Sequence, residues 1–203
     1  IMNNVFPTKG NLIATKKSLA LAKTGFDLMD RKHNILVREM MDLIDDAKEI
    51  QAQINTTFTQ AYAALQMANI TTGSIHSLVA AVPPDDRFTI LRRSVMGVEI
   101  PQIKHRENTE EPEYALLSTG SELDAAFEKF TKVKLLCAHL AEVETSIYRL
   151  ALAIKKTQKR VGALKNIIIP NHEQTIAFIT DALDEKEREE FIRMKVIKHT
   201  KQK

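Results

Sequence analysis

Ten positions between 136 and 168 follow one another at alternating steps of four and three: Leu136, Leu140, Val143, Ile147, Leu150, Ile154, Thr157, Val161, Leu164 and Ile168. Only Thr157 is not aliphatic. This is the a/d stripe of a heptad repeat, the pattern by which one α-helix lies along another. It constrains the chain more than any other feature, because a narrow apolar seam left in water does not hold an isolated helix together. A second helix of comparable length has to cover it.

That second helix is present in the same chain. Leu12, Thr15, Leu19, Ala22, Phe26, Met29, His33, Leu36, Met40, Leu43, Ala47, Ile50, Ile54, Thr57, Ala61, Ala64 and Ala68 also step by threes and fours. Joined through a shorter middle segment, the two fold back on each other. The expected fold is all-α, a long antiparallel two-helix coiled coil with a small β-hairpin in the middle segment. A repeat of 3.5 residues per turn requires left-handed supercoiling. The expected divisions are a first helix over 8–77, a middle segment over 78–120 and a second helix over 121–198. A helix of about 70 residues is on the order of 100 Å long, which is shaft-like. The register expected from the stripes sets Leu12 near Ile197 and Leu43 near Ile154.

Composition agrees with a thin seam and not a globular core. Aromatic residues are 5% of the 203 and Trp is absent, so the 44% of apolar residues must be spread along the helices. The 29 basic and 26 acidic residues nearly cancel, at a net charge of +3, so charge balance alone implies no polyanionic partner. A single cysteine, Cys137, excludes an intrachain disulfide; lying off the seam, it is expected as a buried or half-buried structural thiol. No signal peptide and no apolar run near 18 residues is found, and the chain is expected neither to cross nor to enter a membrane.

Local signals refine the elements. Thr8 is placed to cap the first helix, and Ser121 with Asp124 forms an S-x-x-D start for the second. Gly25, inside the first helix, is explained by close packing against the facing helix. Pro83-Pro84 ends the helical region, and Asp85-Asp86 offers a cap for a short helical turn at Arg87 to Arg92. The hairpin is expected as a strand over Ser94 to Pro101, a polar loop over Lys104 to Glu113 and a strand over Tyr114 to Ser118. Pro170 removes a hydrogen bond to the carbonyl of Asn166, so a kink or local break is expected. The apolar residues beyond it (Ile176, Ile179, Leu183, Phe191, Met194, Ile197) are out of step with the earlier stripe by one residue, a slip that absorbs drift between 3.5 and 3.6 residues per turn.

No chemistry-bearing motif emerges. There is no G-x-x-x-x-G-K-[ST], so no phosphate-cradling loop, and the six histidines show no metal-ligand spacing with Cys137. His33 falls on the seam and reads as a packed residue. No catalytic, cofactor-binding or metal-binding residue is expected. The basic band Arg149, Lys155, Lys156, Lys159, Arg160 and Lys165 has no interleaved aromatic after Tyr148, which argues against nucleic-acid binding. Met41, Ile44, Tyr148 and Leu152 lie beyond the seam and widen the apolar strip at one level, more than two helices can cover.

Several runs resemble the D subunit of the V-type ATPases, the archaeal and bacterial V/A-type ATP synthases included. Pro7-Thr8-Lys9 with Leu12 does, as do the run Gly25 to Lys32 and Met96 to Pro101. The most specific run is Thr157 to Leu164, followed by Ile169-Pro170, Thr175-Ile176 and Leu183 to Glu190. The resemblance spans nearly the whole chain in order. It implies a non-catalytic central rotor subunit without a cofactor, in a complex peripheral to the membrane on the cytoplasmic side. It implies partners as well: a catalytic head of alternating A and B subunits around the termini, the F subunit on the flank, and the C (or d) subunit between shaft and membrane ring. On that basis Thr8, Lys9, Leu12, Lys16, Arg193, Lys195 and Lys198 are expected at the head-facing tip, and Met41, Ile44, Tyr148 and Leu152 against the F subunit. The competing reading is a static coiled-coil tether, which needs the same heptads but neither a hairpin nor motif-like ends.

Overall fold

The computed structural model describes residues 5–73, 87–106 and 120–201. In order these are α1 (Lys9–Thr72), β1 (Phe88–Val95), β2 (Val98–His105), α2 (Ser121–Ala163), a π turn (Leu164–Ile168) and α3 (Ile169–Lys201). The described residues are thus overwhelmingly helical, with one small two-stranded antiparallel sheet among them. It divides into two compact parts, one of residues 35–154 and one of residues 1–34 with 155–203.

In the part spanning 35–154, the second half of α1 packs on α2 in antiparallel sense. One buried cluster joins Ile50 and Ile54 to Val143, with Leu43, Ala47, Phe58, Leu136, Leu140 and Ile147 around it. All of these but Phe58 are a/d positions of the two stripes. Further along, Tyr62 stacks on Phe58 and meets the edge of Phe130, the ring centroids 5.8 and 5.6 Å apart. A second cluster of Leu36, Leu150 and Ile100 also takes in Met40, Leu43, Ala153 and Ile154. Leu43 and Ile154 therefore line one core, as the stripes require. Small seam residues (Ala61, Ala68 and Ala126) are buried as well, which lets the backbones approach closely.

The other part pairs the start of α1 with the end of α2 and with α3. Lys9 Nζ lies 2.9 Å from Glu187 Oε1 and Lys23 Nζ 2.8 Å from Glu173 Oε1, so this pairing is antiparallel too. Ala22 and Ile179 are its buried apolar residues. These ion pairs set Leu12 opposite the region of Asp184, not Ile197. The register expected for that end was therefore wrong by several turns, because it matched the last apolar residues of the chain to the first. Ile197 is exposed, as are Phe191 and Met194, which the stripe had assigned to the seam.

The sequence slip at Pro170 has a structural counterpart. Between Leu164 and Ile168 the helix widens by one residue, and the Ile169 N–H donates to the Leu164 carbonyl five residues back. Among the buried and half-buried positions, 157, 161, 164, 169, 172, 176, 179 and 183 follow one another by threes and fours except for one step of five, from 164 to 169, at the π turn. Ile168, the last member of the first stripe, is exposed for this reason. Pro170 leaves a ladder acceptor without its donor, and the π turn just upstream is where the pattern yields.

The hairpin exists but sits elsewhere than expected. Residues 88 to 95 form β1 instead of a helical turn, and Val95-Met96-Gly97-Val98 is a two-residue reversal instead of mid-strand. Met96 and Gly97 have φ of 49° and 79°, the left-handed pair that a I′-type hairpin turn requires. Lys104 and His105, assigned to a loop, belong to β2. The strand expected over Tyr114 to Ser118 and the Pro83-Pro84 break lie outside the described residues. So do the last residues of the expected first helix; Gly73, with φ of 80°, follows Thr72 in the left-handed conformation that commonly ends a helix.

Two smaller expectations are corrected. Cys137 is exposed, not buried or half-buried. A Cβ built on Gly25 would meet nothing within 4 Å, so close packing does not explain that glycine.

Candidate interaction surfaces

Two surfaces hold the residues singled out from sequence. The first is the end formed by the start of α1 and the end of α3. Thr8 caps α1, its Oγ1 accepting from the Asn11 N–H at 3.2 Å, while Asn11 Nδ2 donates to the Phe6 carbonyl at 2.9 Å. Lys9 is held by Glu187, whose hydrogen bond and charge raise its pKa above the ordinary lysine value. Leu12 is half-buried and Lys16 exposed. Arg193 Nη2 sits 3.6 Å from Glu189 Oε2 on its own helix. Lys195 and Lys198 are exposed.

These residues share one end but not one level. Lys9 opens α1 and pairs with Glu187, and α3 continues to Lys201. Fourteen further residues make about 20 Å of helix beyond the start of α1. Every residue from Asp184 to Lys201 is exposed. Within this stretch Phe191, Ile192, Met194, Val196 and Ile197 are each 56–64% exposed. At about 100° per residue these five side chains spread around the whole helix circumference instead of forming one stripe. Arg193, Lys195 and Lys198 are interspersed among them. Heptad reading concealed this, because the apolar spacing persists after the facing helix has ended.

The second surface lies on the part spanning 35–154, at the level of Leu36 and Leu150. Met41, Tyr148 and Leu152 are 55%, 66% and 53% exposed, and Ile44 is half-buried. With Leu36, Leu43 and Leu150 at d, Met41 and Tyr148 occupy b positions and Ile44 an e position. Those positions face the same flank of an antiparallel pair. The opposite flank carries the hairpin. Ile100 is buried there, Val95 and Val98 pack on the same cluster, and Arg149 Nη1 donates to the Glu99 carbonyl at 3.1 Å. Glu142 Oε2 accepts from the Ile103 N–H at 2.9 Å. Arg93 reaches towards Glu39 at 3.9 Å, and Phe88 meets the His105 ring at 5.0 Å beneath the Lys134 ammonium. One side of this seam is thus roofed by the sheet and the other is bare apolar surface. The roles of Glu142 and Arg149 were not read from sequence, although both fall at c positions on the hairpin side.

His33 is half-buried at its seam position, its Nδ1 shielded from water and unpaired among the described residues. No group of three or more His, Cys, Asp or Glu able to hold a metal occurs among the described residues, and no described helix is long and apolar enough to cross a membrane.

Comparison with known proteins places nearly the whole sequence in one family. Residues 11–199 match the family of ATP synthase D subunits. The D subunit of the V-type ATP synthase of Thermotoga neapolitana is 45% identical over 198 residues, covering 96% of this chain and 97% of that protein. The D subunits of the A-type ATP synthases of Desulfurococcus sp. (strain SY) and Thermococcus kodakarensis are 39% and 38% identical over 200 residues, covering 96% of this chain and 94% of each relative. A family match over nearly every residue, with identity well above 30% along the full length, makes this chain a member of the ATP synthase D-subunit family.

Proposed function

We propose that the chain is the central rotor shaft of a V/A-type ATP synthase, carrying torque between a membrane rotor ring and a catalytic head. ATP synthesis or hydrolysis is thereby coupled to proton or sodium movement. The chain itself is non-catalytic. The observation that carries this reading is the end of α3, where Phe191, Ile192, Met194, Val196 and Ile197 are exposed all round a single helix. A docking helix normally shows one apolar face to one partner. A helix apolar on every side fits a collar that surrounds it, and such contact keeps its character as the helix turns. The A and B subunits of the head are the collar in this reading.

The bare flank at Met41, Ile44, Tyr148 and Leu152 receives the F subunit. The C (or d) subunit lies at the end nearer the membrane. The assembly is peripheral to the membrane on the cytoplasmic side. A static tether remains the competing reading, and rotation separates the two. Cys137 is exposed and is the sole cysteine, so it takes a thiol-reactive probe. With the head immobilised, the probe on this chain should turn in one direction when ATP is added. A probe that stays fixed while the head hydrolyses ATP would overturn the rotor reading and leave the tether.

A further inference from the structure

The two edges of the hairpin are treated differently, and the difference can be read bond by bond. Phe88 pairs with His105 and Val95 with Val98, and the Arg106 N–H donates to the Arg87 carbonyl at 3.2 Å. Pairs exchanging both backbone bonds alternate with pairs that exchange none. Residues 89, 91, 93 and 95 therefore bond to 104, 102, 100 and 98. Residues 99, 101, 103 and 105 turn their backbone groups away from β1, and residues 88, 90, 92 and 94 turn theirs away from β2.

At each central position of the outer edge of β2 one backbone group is already taken or missing. The Glu99 carbonyl accepts from Arg149, Pro101 has no N–H to offer, and the Ile103 N–H is taken by Glu142. The outer edge of β1 is open. No hydrogen bond to the backbone of Phe88, Ile90, Arg92 or Ser94 from outside the hairpin occurs among the described residues. Residues 89 to 94 are all exposed, Ile90 at 71% and Arg92 at 77%. This edge of eight residues carries exposed Ile and Leu with no proline and no bulge, and Arg92 and Arg93 are the charges on it.

We infer that the free edge of β1 is a docking site for an extended, acid-bearing segment of another member of the complex, which joins the hairpin as a third strand. The inference rests on the chain's membership of a multisubunit ATP synthase. Backbone bonds to residues 88, 90, 92 and 94 supply the attachment, as in other strand additions. Charge selects the occupant. β1 contains Arg92 and Arg93 and no acid. Arg92 lies 3.3 Å from Glu99 and Arg93 3.9 Å from Glu39, but both arginine side chains stay largely exposed, so these pairs are weak and an acidic segment is favoured over a basic one. A second copy of β1 is disfavoured, since antiparallel self-pairing sets two strands that carry only positive charge side by side, with Arg92 directly opposite Arg92 in one register. The obstructed edge of β2 fixes which side is used, and Ile100, anchored in the core, makes the platform rigid.

Amide hydrogen exchange on the isolated full-length chain and on the purified complex tests this. In the isolated chain the Ile90, Arg92 and Ser94 amides should exchange at least 100-fold faster than those of Leu91 and Arg93, which bond to β2. In the complex the three outward amides should slow by at least 100-fold. Ile90→Pro removes one outward N–H without touching the β1–β2 ladder. It should abolish the slowing in the complex while leaving Leu91 and Arg93 protected. Should that variant lose the hairpin, Arg92→Glu with Arg93→Glu provides the second arm, and protection in the complex should fall at least tenfold. Outward amides that stay fast in an intact complex overturn the inference without touching the rotor reading. So does slow exchange already present in the isolated chain: independent of concentration it means the chain covers its own edge, and dependent on concentration it means self-pairing. Failure of the chain to enter the complex at all would instead overturn the rotor reading.

Discussion

Leu150 and Leu152 lie two residues apart on α2 and make opposite predictions. Leu150 is fully buried beside Leu36 and Ile100, whereas Leu152 keeps 53% of its surface in water. Leu→Ala removes three carbons. At roughly 0.8 kcal/mol per buried methylene the transfer loss at Leu150 is about 2.4 kcal/mol, and the cavity left between two helices and a sheet raises the total to about 3–4 kcal/mol. At Leu152 no closed cavity can form, only about half the transfer loss applies, and Ala's better helix propensity offsets a few tenths, giving under about 1 kcal/mol. Urea denaturation followed by circular dichroism reads the two directly as shifts in midpoint at unchanged slope. Val95 and Val98 rest on the same cluster, so Leu150→Ala should also speed exchange of the β1 amides that bond to β2. Equal midpoint shifts for the two variants, or a loss at Leu150 below about 1 kcal/mol, would refute the claim that the hairpin and both helices share one core at this level.

Three further outcomes are expected. Gly25→Ala should raise stability by about 0.5–1 kcal/mol, because the space beside it is open and alanine is the better helix former; a fall in the denaturation midpoint would mean that something meets the new Cβ. Replacing Met41, Ile44 and Leu152 by Ser should weaken binding of the F subunit, measured by calorimetry, with helicity nearly unchanged; undiminished affinity would remove that flank as the site. Lys9 is charged at neutral pH and its pKa is raised by Glu187, so this pair's contribution is fully present below the ordinary lysine value and is lost as pH rises through the raised one. Glu187→Gln should bring the Lys9 titration, followed by NMR, back down towards the ordinary value.

Much of the fold was legible because a heptad is a long-range statement. Each a/d residue names the face of a partner, and seventeen such positions in one half with ten in the other leave little choice of architecture. The step of one residue near Pro170 was visible for the same reason. The hairpin was harder to place. Its turn is Met96-Gly97, not Asn-Gly or Asp-Gly, so nothing local marked it as a reversal, and the flanking Val95 and Val98 read as continuous strand. The α3 end failed in another way. Phe191, Met194 and Ile197 keep seam spacing where no facing helix remains, and spacing alone does not say what a residue touches. Glu142 and Arg149 carried no signal, because a charged c position looks the same whether it faces water or a sheet edge.

A one-residue insertion in an ordinary helix rotates everything after it by about 100°, enough to swing Ile179 out of its core. The widened turn at Leu164–Ile168 has already taken up such an insertion. Faces before it and faces after it both remain turned inward, though they belong to different phases of the same spiral. That turn is therefore a site of length tolerance: residue count can change there by one, by closing or opening a single five-back hydrogen bond, without re-aiming either stretch. Elsewhere along the paired helices a single added or lost residue would need to be matched by its counterpart across the seam. Within this family, differences of one residue in the second helix should gather at this turn.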